Sequence, residues 1–193
     1  LHLTGLRADG YHFLESLVVF AEWGDHLTAR FANDLSLNVV GPFAKGVPCD
    51  ASNLVLRAAR FLQEQREISA GAVITLEKFL PHGGGIGGGS SDAATILRML
   101  AELWQVDPLT PSEAIALGAD LPVCMNTPAP CFMSGVGVII TPAPKLPEFW
   151  LLLINPAIAV PTGPVFSEYD KLSHRTTTGL DAMDGVNSST DFV

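Results

Sequence analysis

The chain has 193 residues, 48% of them hydrophobic, with a formal net charge of −9 at pH 7 and three cysteines. That charge argues against a nucleic-acid partner, which needs clustered Lys and Arg, but not against a nucleotide held by backbone amides and Mg²⁺. No apolar run reaches the roughly 20 residues of a membrane helix, no basic-then-apolar signal pattern opens the chain, and Cys49, Cys124 and Cys131 lack C-x-x-C spacing. A soluble, reduced, cytoplasmic protein with no membrane partner is therefore expected.

In chain order, Leu1-His2-Leu3-Thr4 alternates as a strand does, and Gly5 to Gly10 reads as a turn-rich link. Phe13 to Phe20 reads as a second strand, with Asp25 to Phe31 as its neighbour after a turn at Trp23-Gly24. Leu35 to Val40 is a third short strand. Asp50-Ala51-Ser52-Asn53 places capping residues ahead of an amphipathic helix from Leu54 to about Glu67, with Leu54, Ala58, Phe61 and Leu62 on one face.

Ala72 to Lys78 is a strand leading into Pro81-His82-Gly83-Gly84-Gly85-Ile86-Gly87-Gly88-Gly89-Ser90-Ser91-Asp92. Six glycines in seven residues cannot be a helix or strand interior, because glycine loses the most backbone entropy on ordering. Ser90-Ser91-Asp92 is a helix-start signature, and Ala93, Ile96, Leu97, Leu100, Ala101 and Trp104 follow as a buried stripe. Thr110-Pro111-Ser112-Glu113 is a capping box opening a short helix, which Gly118 and Pro122 end. Cys131 to Ile140 and Trp150 to Ile154 read as strands around a Pro-rich link, and periodicity is lost from Leu172 onward.

The glycine run is the chemical centre. A flexible loop opening onto a helix N-terminus offers unpaired N–H donors and partial positive charge, a physical anion site. It is not a Walker A loop, for it contains no Gly-Lys-Ser/Thr. A G-x-G-x-x-G match at Gly83, Gly85 and Gly88 lacks the acidic residue that a dinucleotide site wants on a second strand, since Glu102 falls within the predicted helix. Asp120, between Gly118 and Pro122, reads either as a turn residue or as a carboxylate placed to orient or deprotonate a hydroxyl nucleophile. Tyr11 and His12 read equally as a base-stacking pair or as a core-edge Tyr beside a solvated His.

Residues 81–94 closely resemble the phosphate loop of the GHMP kinases, and three further segments fit in the same order: Leu3 to His12, Asn53 to Ala59, and Leu117-Gly118-Ala119-Asp120-Leu121-Pro122. Gly85-Ile86-Gly87-Gly88-Gly89-Ser90-Ser91-Asp92 has the form found in the branch that phosphorylates a cytidyl-bearing erythritol for non-mevalonate isoprenoid synthesis, in bacterial cytosol or a plastid. The resemblance implies an α+β fold, the GHMP N-terminal domain with a mixed sheet and helices (ribosomal protein S5 domain 2-like) over 1–148, and the start of a second α+β domain over 149–193.

It further implies ATP bound by Pro81, His82, Gly83, Gly84, Gly85, Ile86, Gly87, Gly88, Gly89, Ser90 and Ser91, with Asn53 and Leu54 near the adenosine. Ser91 would contact Mg²⁺. Asp120 would be the catalytic aspartate, and Tyr11, His12 and Phe166 would hold the cytosine of a small-molecule cytidyl-erythritol substrate. The family's upstream Lys and its Gly-rich C-terminal motif are not in this sequence, so little or no kinase activity is expected of these 193 residues alone. Two other readings stay open: a family member acting on a sugar, homoserine or mevalonate, against which Asp9-Gly10-Tyr11-His12 and Gly88-Gly89 speak, and a nucleotide-binding module without turnover.

Overall fold

Residues 1–8, 10–155 and 162–171 are described by the structure, a computed structural model of the chain. Seven strands are formed among them: β1 (His2–Leu6), β2 (His12–Val18), β3 (His26–Ala32), β4 (Ser36–Val40), β5 (Gly71–Glu77), β6 (Cys131–Gly135) and β7 (Ile139–Pro142). They divide into two sheets, an antiparallel one in the order β1-β2-β6-β7 and a mixed one in the order β3-β5-β4. β4 runs parallel to β5, a pairing that needs a crossover, and α1 (Leu54–Gln65) supplies it.

The expected pairing of the second and third strands does not form. β3 aligns instead with β5 along its whole length, from His26 opposite Glu77 to Ala32 opposite Gly71. The reason lies in the apolar layers. Leu27 and Ala29 of β3 pack on the main core, whereas Leu14 and Val18 of β2 pack on a smaller cluster containing Val123, Cys124, Cys131 and Met133. The segment from Ala21 to Asp25, which bends at Glu22 and forms no turn at Trp23-Gly24, carries the chain from one layer to the other.

The main core lies between the β3-β5-β4 sheet and two helices. α1 buries Val55, Leu56, Ala58, Ala59 and Leu62, a stripe shifted by one position from the predicted one, with Leu54 and Phe61 at its edge. α2 (Gly88–Trp104) buries Ile96, Leu97, Leu100 and Ala101 as its periodicity predicts, and Trp104 Nε1 donates to Gly71 O at 3.3 Å. Gly71 must lack a side chain, since a Cβ there would fall 2.3–2.5 Å from backbone atoms of Asp34. α2 starts at Gly88, before the predicted Ser90 signature, so two glycines do sit in a first helical turn. Gly87, left-handed at φ 73°, takes the cap position. First-turn amides need no intrahelical partner, which lets glycine stand there at little loss.

α3 (Pro111–Ala114) and a 3₁₀ turn (Ile115–Leu117) follow the predicted capping box. Pro122 does not end a helix. It lies in the first turn of α4 (Leu121–Met125), where a missing N–H is harmless. The segment read as one strand from Cys131 to Ile140 is a hairpin, β6 and β7, reversed between left-handed Gly135 and Gly137. Trp150 to Ile154 is not a strand; it pairs with none among the described residues, and Trp150 is fully exposed. Of the expected second unit, residues 149–155 and α5 (Thr162–Lys171) are described; Asp9, Pro161 and the tail from Leu172 lie outside the described residues. Among the described residues no helix is long and apolar enough to cross a membrane.

Glu113 joins the capping box to α1. It accepts from Arg66 at 2.9 and 3.2 Å and from the Thr110 amide at 2.6 Å. Its carboxyl is held down at about 2, first by the Arg66 hydrogen bonds and then by those from Thr110. A carboxyl with a depressed folded value contributes stability above its unfolded value of 4.5 and loses it as pH falls toward 2. Thermal unfolding at pH 5 and pH 3 should show this loss in the native chain, and Glu113→Gln should flatten it.

Candidate active site

Strand β5 delivers the chain into the glycine loop, and α2 takes it out. Gly83, Gly85 and Gly87 have φ of 71°, 70° and 73°, so every second residue is left-handed. Such alternation turns successive N–H groups toward one side, the backbone geometry of anion-binding nests. The first-turn amides of α2 add donors and the positive end of a 17-residue helix. Ser91 N already donates to Gly87 O at 2.9 Å, which closes that turn.

The loop forms one wall of a cleft of about 590 Å³. Residues 81–90 border it throughout. Asn53, Leu54, Val47 and Pro48 face them, and Asp120, Met133 and Phe166 complete the rim. Most of the predicted site residues, from four separate stretches of chain, thus border a single cavity. Ser91, the fourth residue of α2, and His12 are not on the lining, and Tyr11, also off it, stands 62% exposed just before β2.

Asp120 occupies the cap position of α4 yet does not cap it. Its φ and ψ of −84° and −11° are helical, not extended, and its side chain makes no cap hydrogen bond. Among the described residues the carboxylate forms no ion pair or hydrogen bond, and it is exposed toward the cleft. A turn or cap role would use those oxygens; here they are left for the cavity.

His12 and Phe166 meet as predicted partners, but in direct contact. Their rings stack at 4.8 Å with an interplanar angle of 27°, and Tyr169 meets His12 edge-on at 6.3 Å. His12 Nε2 donates to Asp170 Oδ1 at 2.8 Å. α5 is therefore joined to β2 through His12, with Phe166 on the rim of the cleft. Sequence spacing could not show that His12 acquires a carboxylate partner 158 residues away.

Asn53 borders the cleft while spending its side chain on the fold. Oδ1 accepts from Val55 N at 2.9 Å, and Nδ2 donates to Pro48 O at 2.6 Å, pinning the 47–53 wall to the start of α1. Asn53→Ala should cost about 1–2 kcal/mol in urea unfolding, from a lost cap and a half-buried carbonyl left unpaired.

The residues that sequence reasoning missed are Asp25, Lys78 and Asp92. The Lys78 ammonium, buried beneath the loop, donates to Asp25 Oδ2 and, at 2.9 Å, to Asp92 Oδ2. Burial pushes the Asp92 carboxyl up to about 6 against the opposing pull of Lys78. Burial likewise works against the Lys78 charge, but its two carboxylate partners outweigh that and hold it above its ordinary value. The one sequence signal was a lysine at the end of the predicted strand, just ahead of the glycine run.

The GHMP kinases N terminal domain matches residues 53–135, which include the glycine loop, α2, Asp120 and β6. A 4-diphosphocytidyl-2-C-methyl-D-erythritol kinase of Jannaschia sp. (strain CCS1) is 50% identical over 188 residues, 97% of this chain and 65% of that protein. One of Cereibacter sphaeroides (strain ATCC 17029 / ATH 2.4.9) is 55% identical over 167 residues, 86% of this chain and 58% of that protein. The chain thus spans 58–65% of the length of these relatives. A solved 4-(cytidine 5'-diphospho)-2C-methyl-D-erythritol kinase superposes with a TM-score of 0.66 at 32% identity, over 86% of this chain and 59% of that one. A nest-forming glycine loop at the head of a buried helix and an uncommitted aspartate across the cleft thus accompany the match of residues 53–135 to the N-terminal domain of the GHMP kinases, the family this chain is similar to.

Proposed function

We propose that the protein transfers the γ-phosphoryl of ATP to the 2-hydroxyl of 4-diphosphocytidyl-2-C-methyl-D-erythritol, a cytoplasmic step of non-mevalonate isoprenoid synthesis. The observation that carries this reading is Asp120, an uncommitted carboxylate on the same cleft as an amide-lined anion loop. Phosphoryl transfer asks a protein mainly for positioning and charge neutralisation. The amides of residues 83–90 would cradle the phosphates, with the base of the nucleotide against Val47, Asn53 and Leu54. Asp120 would take the proton of the attacking hydroxyl. Tyr11, His12 and Phe166 would hold the cytosine ring; in support, Phe166 borders the cleft and His12 stacks on it.

Mg²⁺ fits the donor set. Among the described residues no three His, Cys, Asp or Glu side chains cluster to cage a cation. Mg²⁺ in such sites is held largely by phosphates and water, with one or two protein oxygens. Ser91 would supply a hydroxyl, and Asp120 is the cleft carboxylate not engaged by Lys78. The ion would neutralise charge on the transferred group.

The test is ADP release by the chain completed at both ends with the corresponding segments of a curated relative, offered the cytidyl substrate, mevalonate and homoserine side by side. Turnover of the cytidyl substrate alone is expected. Turnover only of mevalonate or homoserine would reassign the acceptor, and no turnover of any would reject the kinase reading.

A further inference from the structure

We propose that Lys78 is a positioning residue: its ammonium ties the two arms of the glycine loop together through Asp25 and Asp92, and so holds the loop in phosphate-binding shape before a nucleotide arrives. The inference rests on reading that loop as the nucleotide site.

The upstream arm is gripped by Asp25, the residue before β3. Its Oδ1 accepts from Phe79 N at 2.6 Å and from Leu80 N at 2.8 Å, where the chain leaves β5, and its Oδ2 takes the Lys78 ammonium. The downstream arm is gripped by Asp92, the fifth residue of α2, whose Oδ2 accepts from Lys78 Nζ at 2.9 Å. Lys78 is itself anchored to the neighbouring strand, for its amide donates to Val40 O at 2.8 Å and its carbonyl accepts from Phe43 N at 3.1 Å. A Cβ built on Gly88 would lie 3.8 Å from Asp25 Oδ2 and 4.0 Å from Lys78 Nζ, so the cluster sits directly under the first residue of the helix.

The side chains of Lys78, Asp25 and Asp92 are only 5%, 1% and 7% exposed. Burying an ammonium and two carboxylates is poor value as stability alone, since apolar residues of similar size often serve as well. What an apolar trio could not do is accept from the Phe79 and Leu80 amides and join them to the helix. The loop between the arms is mostly glycine, the residue with most entropy to lose, so an unclamped loop would have to be ordered at the expense of ligand binding.

The experiment uses the 193-residue chain at 10 °C, where folded variants can be compared. Exchange of the Gly83–Gly89 amides is followed by NMR without ligand, and Mg·ADP affinity is measured by calorimetry. Lys78→Met should speed loop exchange and weaken Mg·ADP by about tenfold or more, with exchange of the β5 amides unchanged; Lys78→Arg should restore most of both. Should Lys78→Met not fold, Asp92→Asn, which keeps the Lys78–Asp25 contact and the side-chain size, carries the test, with a loss of about threefold or more expected. Loop exchange and affinity both unchanged in a folded variant would overturn the proposal. So would faster exchange with unchanged affinity, because the cluster would then serve the fold and not the ligand. If the unaltered chain does not bind Mg·ADP, the nucleotide reading fails, and loop exchange alone decides whether the clamp exists.

Discussion

Asp120→Asn is expected to remove phosphoryl transfer while leaving the cleft intact. In the completed chain, ADP release with the cytidyl substrate should fall at least about a hundredfold, the low end of what a positioned general base contributes. Mg·ADP affinity should change less than about twofold. The two expectations separate because of how Asp120 sits. Its carboxylate neither caps α4 nor pairs with any described side chain, so an amide of the same size disturbs no contact of the fold. Its backbone carbonyl, which accepts from Cys124 N at 3.2 Å, is untouched by the change. A loss of turnover together with a large fall in melting temperature would point to a structural Asp120. Retained turnover would place the proton acceptor elsewhere.

Leu100→Ala should be the most destabilising single truncation along α2, costing about 3 kcal/mol in urea unfolding, within the range for a fully buried leucine. Leu100 has no exposed surface and lies in the core shared by α1, α2 and the β3-β5-β4 sheet. Set against a total stability of about 5–15 kcal/mol, such a loss would leave a substantial unfolded fraction at elevated temperature. At 10 °C the folded fraction should still bind Mg·ADP with nearly native affinity, because Leu100 lies three turns along the helix from the loop. A cost under about 1 kcal/mol would mean that the core closes around the gap.

The elements were largely legible. The stripe Ala93, Ile96, Leu97, Leu100, Ala101 and Trp104 marked a helix that the structure buries on that face, and Thr110 to Glu113 marked a capping box that forms with both reciprocal bonds. The failures share a cause. β2 and β3, read as a hairpin from their spacing, part because each has its apolar face toward a different cluster. Trp150 to Ile154 has strand composition but pairs with no strand among the described residues, and composition alone makes no ladder. Pro122, read as a stop, falls where a helix tolerates proline.

For the site, the residues determined by local chemistry alone were the glycine loop, whose sequence permits little but an amide-lined turn into a helix, and the Asn53 cap. Asp120 was visible but ambiguous, since a turn aspartate and a catalytic one share the same neighbours in sequence. Only the tertiary structure showed its oxygens left unused and turned to the cleft that the glycine loop lines. Lys78 with Asp25 and Asp92, and His12 with Asp170, were invisible for a deeper reason. Their partners lie 14 to 158 positions apart, and burial in a shared low-dielectric interior, which no stretch of sequence specifies by itself, is what brings those charges together.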